Sequence, residues 1–285
     1  MIRLHMTRGD RATFALLSGD AGCGKSYAIS MLATELKALK ISVRVSAMTN
    51  KAVGSLTESC PSLHDVLTFH KMMGLKKELL DDRMSLQRFE ERYRETYRDV
   101  ILHFKALCDS DDALKQTHER HSCARLRPES CAVCSSVFRA LTTRSQDAFG
   151  SNRLEGAPPF LGSNVLVVDE YGLMTVDLFE RMLLIMSVFY GPDRGPLVIF
   201  VGSVSQLQPA GPGVRLWANE RFETLVTHRT PLLVNRRQFQ DPGYAEALAY
   251  LQFNTVTEES RSIFKSRVLV DARHVTDPGH EPEKL

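Results

Sequence analysis

The sequence predicts an α/β protein, a parallel sheet of buried strands flanked by helices. Three observations carry that expectation. Apolar runs recur at "ATFALLS", "NVLVVD" and "PLVIFVG", continuous rather than alternating, as in strands buried on both faces. A helical pattern follows the first run, with Ile29, Leu32, Leu36 and Leu39 recurring along one face of "KSYAISMLATELKALK". Between strand and helix lies a glycine-rich turn, "GDAGCGKS", from Gly19 to Ser26.

Composition bounds the rest. The 285 residues have room for one large α/β domain or two small ones. Hydrophobic residues at 43% and charged residues at 25% are ordinary for a soluble chain. A formal charge of +2 does not announce a nucleic-acid binder, so any such contact must come from a local surface. No apolar run approaches the ~18 residues of a membrane span, and "MIRLHMTRGDR" has no apolar signal core. The expectation is a soluble intracellular protein with no membrane partner. In that setting the six cysteines are reduced thiols or metal ligands rather than disulfides.

The first strand and helix aim backbone N–H groups and the positive helix end at phosphate oxygens. Gly19, Gly22 and Gly24 let the backbone approach closely, with Asp20, Ala21 and Cys23 completing the loop. Lys25 is expected to reach the β- and γ-phosphates, and Ser26 to ligate Mg²⁺. The second apolar run ends in Asp169-Glu170, at the strand end where open α/β sheets place their chemistry. Asp169 is expected to hold Mg²⁺ through water. Glu170 is expected to orient and deprotonate the attacking water. These residues predict a Mg²⁺-dependent nucleoside triphosphatase. After the third strand, "SVSQLQPAGPG" supplies Gln206 as the candidate γ-phosphate sensor. The arginine-rich lid of small-molecule kinases is not found.

The motifs run in a recognisable order. "GDAGCGKS", "VSAMTNKAVGSL", "LTFHKMMGL", "VVDEYGLM", "VGSVSQLQP" and "VNRRQFQDPGYAEALAYL…" together span roughly residues 12 to 267. They resemble the first RecA-like motor domain of a superfamily 1 DNA helicase of the RecD/PIF type. Within that type, "VGS" and "DEYGLM" most resemble the helicase subunit of the herpesviral helicase–primase.

The resemblance implies a three-layer, RecA-like P-loop NTPase sheet and an ATP-driven 5′–3′ motor on single-stranded DNA. Replication, recombination or repair is the implied setting, with primase or other replication subunits as implied partners. The implied location is the nucleus (a host nucleus if viral) or the cytoplasm if bacterial or phage. The resemblance also implies that Thr49, Asn50, Thr68 and His70 contact the strand and that Arg237 reaches phosphate, with Arg236 competing for that role. For His70 a buried, hydrogen-bonded histidine stays open as the alternative. Two further readings stay open for the chain, a P-loop scaffold without productive hydrolysis and a nucleotide kinase.

Three departures stand out. Ser203 occupies a position where relatives commonly have aspartate, which weakens coupling on this reading but leaves Gln206 in place. No adenine-reading glutamine precedes the loop. The chain ends at "DARHVTDPGHEPEKL", where the family continues into a second RecA-like domain. The expectation is weak hydrolysis and no unwinding by this chain alone.

The expected organisation is a core of 1–75 and 161–228, a helical insertion over 76–160, and an interdomain segment over 229–285. In the insertion, Leu86, Phe89, Tyr93, Tyr97, Val100, Phe104 and Leu107 fall at helical spacing and demand a partner face, in this chain or another. Further along, "HERHSCARLRPESCAVC" offers a candidate structural zinc site of Cys123, Cys131, Cys134 and His118 or His121, with Cys108 and His103 in reserve. Reduced, partly buried cysteines are the competing reading. Seven residues between Cys123 and Cys131 are few for the usual fingers, but the segment is too poor in apolar residues to make its own core, and a metal would supply that folding energy.

Overall fold

Six parallel strands form one sheet in the order β3-β2-β4-β5-β1-β6. The computed structural model of the chain describes residues 13–60, 63, 65–81, 83–102, 104–105, 156–191, 195–203, 215–234, 243, 246 and 257–267. The strands are β1 (Thr13–Gly19), β2 (Val43–Ala47), β3 (Leu67–Thr68), β4 (Val165–Asp169), β5 (Leu197–Gly202) and β6 (Val226–Leu232). Parallel neighbours require crossovers, and helices supply them. These are α1 (Lys25–Ala38), α2 (Asn50–Ser59), α3 (Phe69–Met72), α4 (Leu86–Thr96), α5 (Val176–Tyr190) and α6 (Glu220–Leu225).

Both central apolar runs are buried along their whole length, β4 between β2 and β5, and β5 between β4 and β1. β6 closes the sheet beside β1 and is mostly exposed. Its Arg229 and Pro231 suit an edge strand, where charge and a missing N–H discourage further pairing.

Alternate residues of each strand feed two different layers. On one face Ala15, Val45, Ala47, Val165, Val167, Ile199 and Val201 pack with Ile29, Ala33 and Leu36 of α1 and with Ala52 and Leu56 of α2. On the other, Phe14, Leu16, Leu166, Val168 and Phe200 pack with Phe179, Met182, Ile185 and Phe189 of α5. The three-layer expectation holds.

Helix α1 is shorter than its apolar periodicity. Lys40 takes a left-handed backbone (φ 58°) and the Ile41 N–H returns to the Leu36 carbonyl at 2.8 Å, closing the helix. Leu39, expected on the buried face, therefore stands 67% exposed.

The stripe expected in the insertion finds its partner within the chain. Ser85 caps α4 by accepting the Arg88 N–H. Phe89, Tyr93, Tyr97, Val100 and Phe104 are buried against the α5 layer, with Tyr93 and Phe104 edge-on to Phe189. Leu86, at the start of the stripe, is exposed instead. The Tyr93 and Tyr97 hydroxyls donate to the carbonyls of Met73 and Gly74 at 2.8 and 2.6 Å. Arg181 of α5, which the sequence did not single out, is buried and donates to the carbonyls of Leu79, Asp81 and Met84. Its Nε lies 2.7 Å from the Asp177 carboxylate and its guanidinium sits over the Phe89 ring. His103, Leu107, Cys108 and every candidate zinc ligand lie outside the described residues.

Two compact units are distinguished. One comprises Met1–Asp20 and Gly24–Leu233, the other Ala21–Cys23 and Val234–Leu285. In the second, helix α7 (Glu258–Arg267) begins with a reciprocal cap between Thr257 and Ser260. Among the described residues no helix is long and apolar enough to cross a membrane.

Candidate nucleotide site

The glycine-rich turn leaves the C-terminal end of β1, and the carboxylate pair leaves the same end of β4 with β5 between them. Gly22 and Gly24 adopt positive φ of 89° and 83°, a conformation that costs other residues about 1 kcal/mol or more. A Cβ at Gly24 would meet no atom within 4 Å, so backbone geometry, and not crowding, favours glycine there. Gly19 is the last residue of β1 and has no such need. Lys25 opens α1, and its ammonium donates to the Gly19 and Asp20 carbonyls at 2.7 and 2.8 Å. Ser26 follows in the first turn, its carbonyl accepting from the buried Cys60 thiol.

Asp169 ends β4, paired with Ala47 on one side and Val201 on the other. It is 8% exposed, and burial raises its pKa to about 6 against the opposing pull of a backbone hydrogen bond at Glu170 and, more weakly, the Lys25 charge. Such a carboxylate suits a divalent cation, which would offset the unfavourable charge. Among the described residues no group of three His, Cys, Asp or Glu could hold a metal. The buried carboxylate of Asp169 fits Mg²⁺, which keeps several waters and takes one or two protein oxygens beside substrate phosphates. Asp169 and Ser26 are the residues that would hold it.

Glu170 begins the next turn in a left-handed backbone (φ 56°), unusual for a residue with a Cβ. Its Oε2 accepts from the Thr49 hydroxyl at 3.2 Å. At the end of β5 the buried Ser203 hydroxyl donates to the Asp20 carboxylate at 2.9 Å. Sequence reasoning missed both bonds, since no local signal joins positions 121 or 183 residues apart.

The residues expected on a strand track have local partners. Thr49 accepts the Ala52 N–H at 3.1 Å and Thr68 accepts the Lys71 N–H at 3.4 Å, so both cap helices. A hydroxyl residue ahead of a helical run is the signal that could have shown this. Thr49 and Asn50 are exposed. His70 is half-buried and edge-on to Phe69, and burial holds its pKa below the ordinary value. Gln206, Arg236 and Arg237 lie outside the described residues.

The AAA domain family matches residues 7–212. The chain belongs to that family. Its fold is also that of part of the Pif1 helicases. The Pif1 helicase of Candida albicans superposes with a TM-score of 0.56 at 14% identity, over 100% of this chain and 48% of that one. Bacteroides Pif1 bound to ssDNA gives 0.52 at 14% identity, over 93% and 47%. A complex described as two coordinating Pif1 helicases at forked dsDNA gives 0.54 at 14%, over 93% and 49%. This AAA-domain chain thus spans about half the length of these structures. No curated protein matches it significantly.

Proposed function

We propose that this chain is an ATP-hydrolysing motor domain of a DNA helicase, moving 5′ to 3′ on single-stranded DNA with a second RecA-like domain. One observation carries the ATPase reading. A glycine loop with Lys25 and Ser26 shares a sheet edge with a buried Asp169 and an adjacent Glu170. The Pif1 fold, seen in one relative bound to ssDNA, supports the strand. Against the kinase and scaffold readings stand that fold and an intact pair of strand-end carboxylates. A herpesviral type, with primase or other replication subunits as partners, rests on "VGS" and "DEYGLM" alone.

In this reading the loop N–H groups and Lys25 bind the phosphates, while Ser26 and Asp169 would hold Mg²⁺, which would supply charge neutralisation. Glu170 accepts a proton from water as the water oxygen bonds to the γ-phosphorus. The bond to the β–γ bridging oxygen breaks, and ADP leaves with its electron pair. Gln206 and Arg237 are assigned to sensing and stabilising the γ-phosphate, and Thr49, Asn50, Thr68 and His70 to the strand.

Two variants test this reading. Lys25→Ala should lose nucleotide binding and turnover together. Glu170→Gln should keep nucleotide affinity and lose about 100-fold or more in hydrolysis rate, as expected for a general base. Wild-type turnover by Glu170→Gln, measured as phosphate release, would overturn the assignment.

A further inference from the structure

Helix α3 is a single turn of four residues, Phe69–Met72, with Thr68 as its cap and His70 within it. The proposed function assigns both of these residues to the strand. A helix of one turn does not hold itself, because its few internal bonds do not offset the cost of nucleation. Something outside it must fix Thr68 and His70.

The carbonyls of the segment show what does. Those of Phe69, His70 and Lys71 accept the N–H groups of Met73, Leu75 and Gly74. Gly74 takes the left-handed conformation (φ 68°) that such a closing turn requires. The carbonyls of Met72, Met73 and Gly74 come too late for partners of that kind. Met72 accepts the Phe160 N–H at 3.3 Å, where the chain returns from the insertion. Met73 and Gly74 accept the Tyr93 and Tyr97 hydroxyls at 2.8 and 2.6 Å.

Both phenols belong to the insertion, at the C-terminal end of α4. Their rings lie 4.7 Å apart, and Tyr93 is edge-on to Phe189 of α5. Burial raises the pKa of each, so both stay protonated as donors. A Cβ at Gly74 would stand 2.6 Å from the Tyr97 hydroxyl, so the turn and that phenol are fitted to each other. Both tyrosines are buried, out of reach of a strand.

We propose that Tyr93 and Tyr97 are positioning residues, whose hydroxyls lock the turn after α3 and so hold Thr68 and His70 in place for a strand. The proposal rests on the motor reading and adds to it a dependence of strand binding on the insertion.

The test removes the hydroxyls and keeps the rings. Fluorescence anisotropy of a labelled oligothymidylate on the full chain is the main readout, at low salt, where phosphate contacts are strongest. A Tyr93→Phe/Tyr97→Phe chain should bind the oligonucleotide about fivefold or more weakly than wild type. Its affinity for a fluorescent ATP analogue should stay unchanged. In a Thr68→Ala/His70→Ala background the same pair should cost less than about twofold, because the contacts it acts through are gone. An equal loss in that background would show that the hydroxyls act elsewhere and overturn the proposal. So would unchanged oligonucleotide binding, or a parallel fall in ATP-analogue binding, which would mean that the hydroxyls hold the whole fold. If Thr68→Ala/His70→Ala alone binds like wild type, α3 does not touch the strand, and the proposal fails while the motor reading stands. If wild type itself does not bind the oligonucleotide, the motor reading fails and the proposal with it.

Discussion

The two faces of the sheet are built from different chemistry. Under α1 and α2 the packing is small and aliphatic, alanine against valine and isoleucine. Under α5 and α4 it is aromatic and methionine-rich, with Phe179, Phe189, Phe200, Tyr93 and Phe104 interlocked edge to face. Small side chains fill the face that carries α1, the helix opening after the phosphate loop, whereas large rings fill the face that takes both α5 and α4. The first face draws most of its residues from positions 15–66 and is closed by Val165, Val167, Leu197, Ile199 and Val201. The second joins residues about 100 apart, as in the Arg181 bonds to Leu79, Asp81 and Met84.

The largest effect should come from cutting into the aromatic face. Phe89→Ala removes a fully buried ring that lies under the Arg181 guanidinium, and such truncations cost about 3–5 kcal/mol. Urea denaturation should show that loss, and proteolysis should then cut sooner within residues 83–105. A loss below about 1 kcal/mol would mean that α4 merely rests on α5.

A smaller effect is expected where both faces end, at Asp169. Its folded pKa, raised to about 6, exceeds the ordinary ~3.9, so the folded state binds the proton more tightly than the unfolded chain. Asp169 therefore favours folding fully below about pH 4, and that contribution is lost as pH rises through about 6. Asp169→Asn should stabilise the metal-free chain above pH 6 by up to ~3 kcal/mol, with the difference shrinking towards pH 4. Denaturation curves across that range would show it. A difference independent of pH would mean that Asp169 is not desolvated as its position implies.

The smallest effect sharpens the limit of the aliphatic face. Leu39→Lys should change stability by no more than about 0.5 kcal/mol, because Leu39 lies beyond the end of α1. Leu36→Ala, three positions earlier and 1% exposed, should cost about 2–5 kcal/mol. Equal losses in thermal denaturation would extend the helix past Lys40.

These cases show what the sequence made legible. Continuous apolar runs located β1, β4 and β5 because a strand buried on both faces has no polar side to conceal it. The stripe from Phe89 to Phe104 was legible for a similar reason, but its partner was not, since periodicity names a buried face without naming what covers it. Leu39 misled because the apolar spacing outlasts the helix, and a left-handed Lys40 leaves little trace in composition. Edge strand β6 was missed because "VTHRTPL" has the polarity of a loop. In the candidate site the loop and carboxylates were legible as motifs. The bonds of Thr49 and Ser203 were not, because they depend on strand order in space.

The bond between Ser203 and Asp20 also bears on how this protein can change over generations. A hydroxyl at the end of β5 donates to a carboxylate on the phosphate loop. Replacing Ser203 by aspartate alone would set two acceptor-only, like-charged groups against each other in a buried place. Replacing Asp20 first, by an amide or a hydroxyl, opens the way. The two positions therefore have a preferred order of substitution, and a carboxylate at the end of β5 is reached with least repulsion through a neutral residue at position 20.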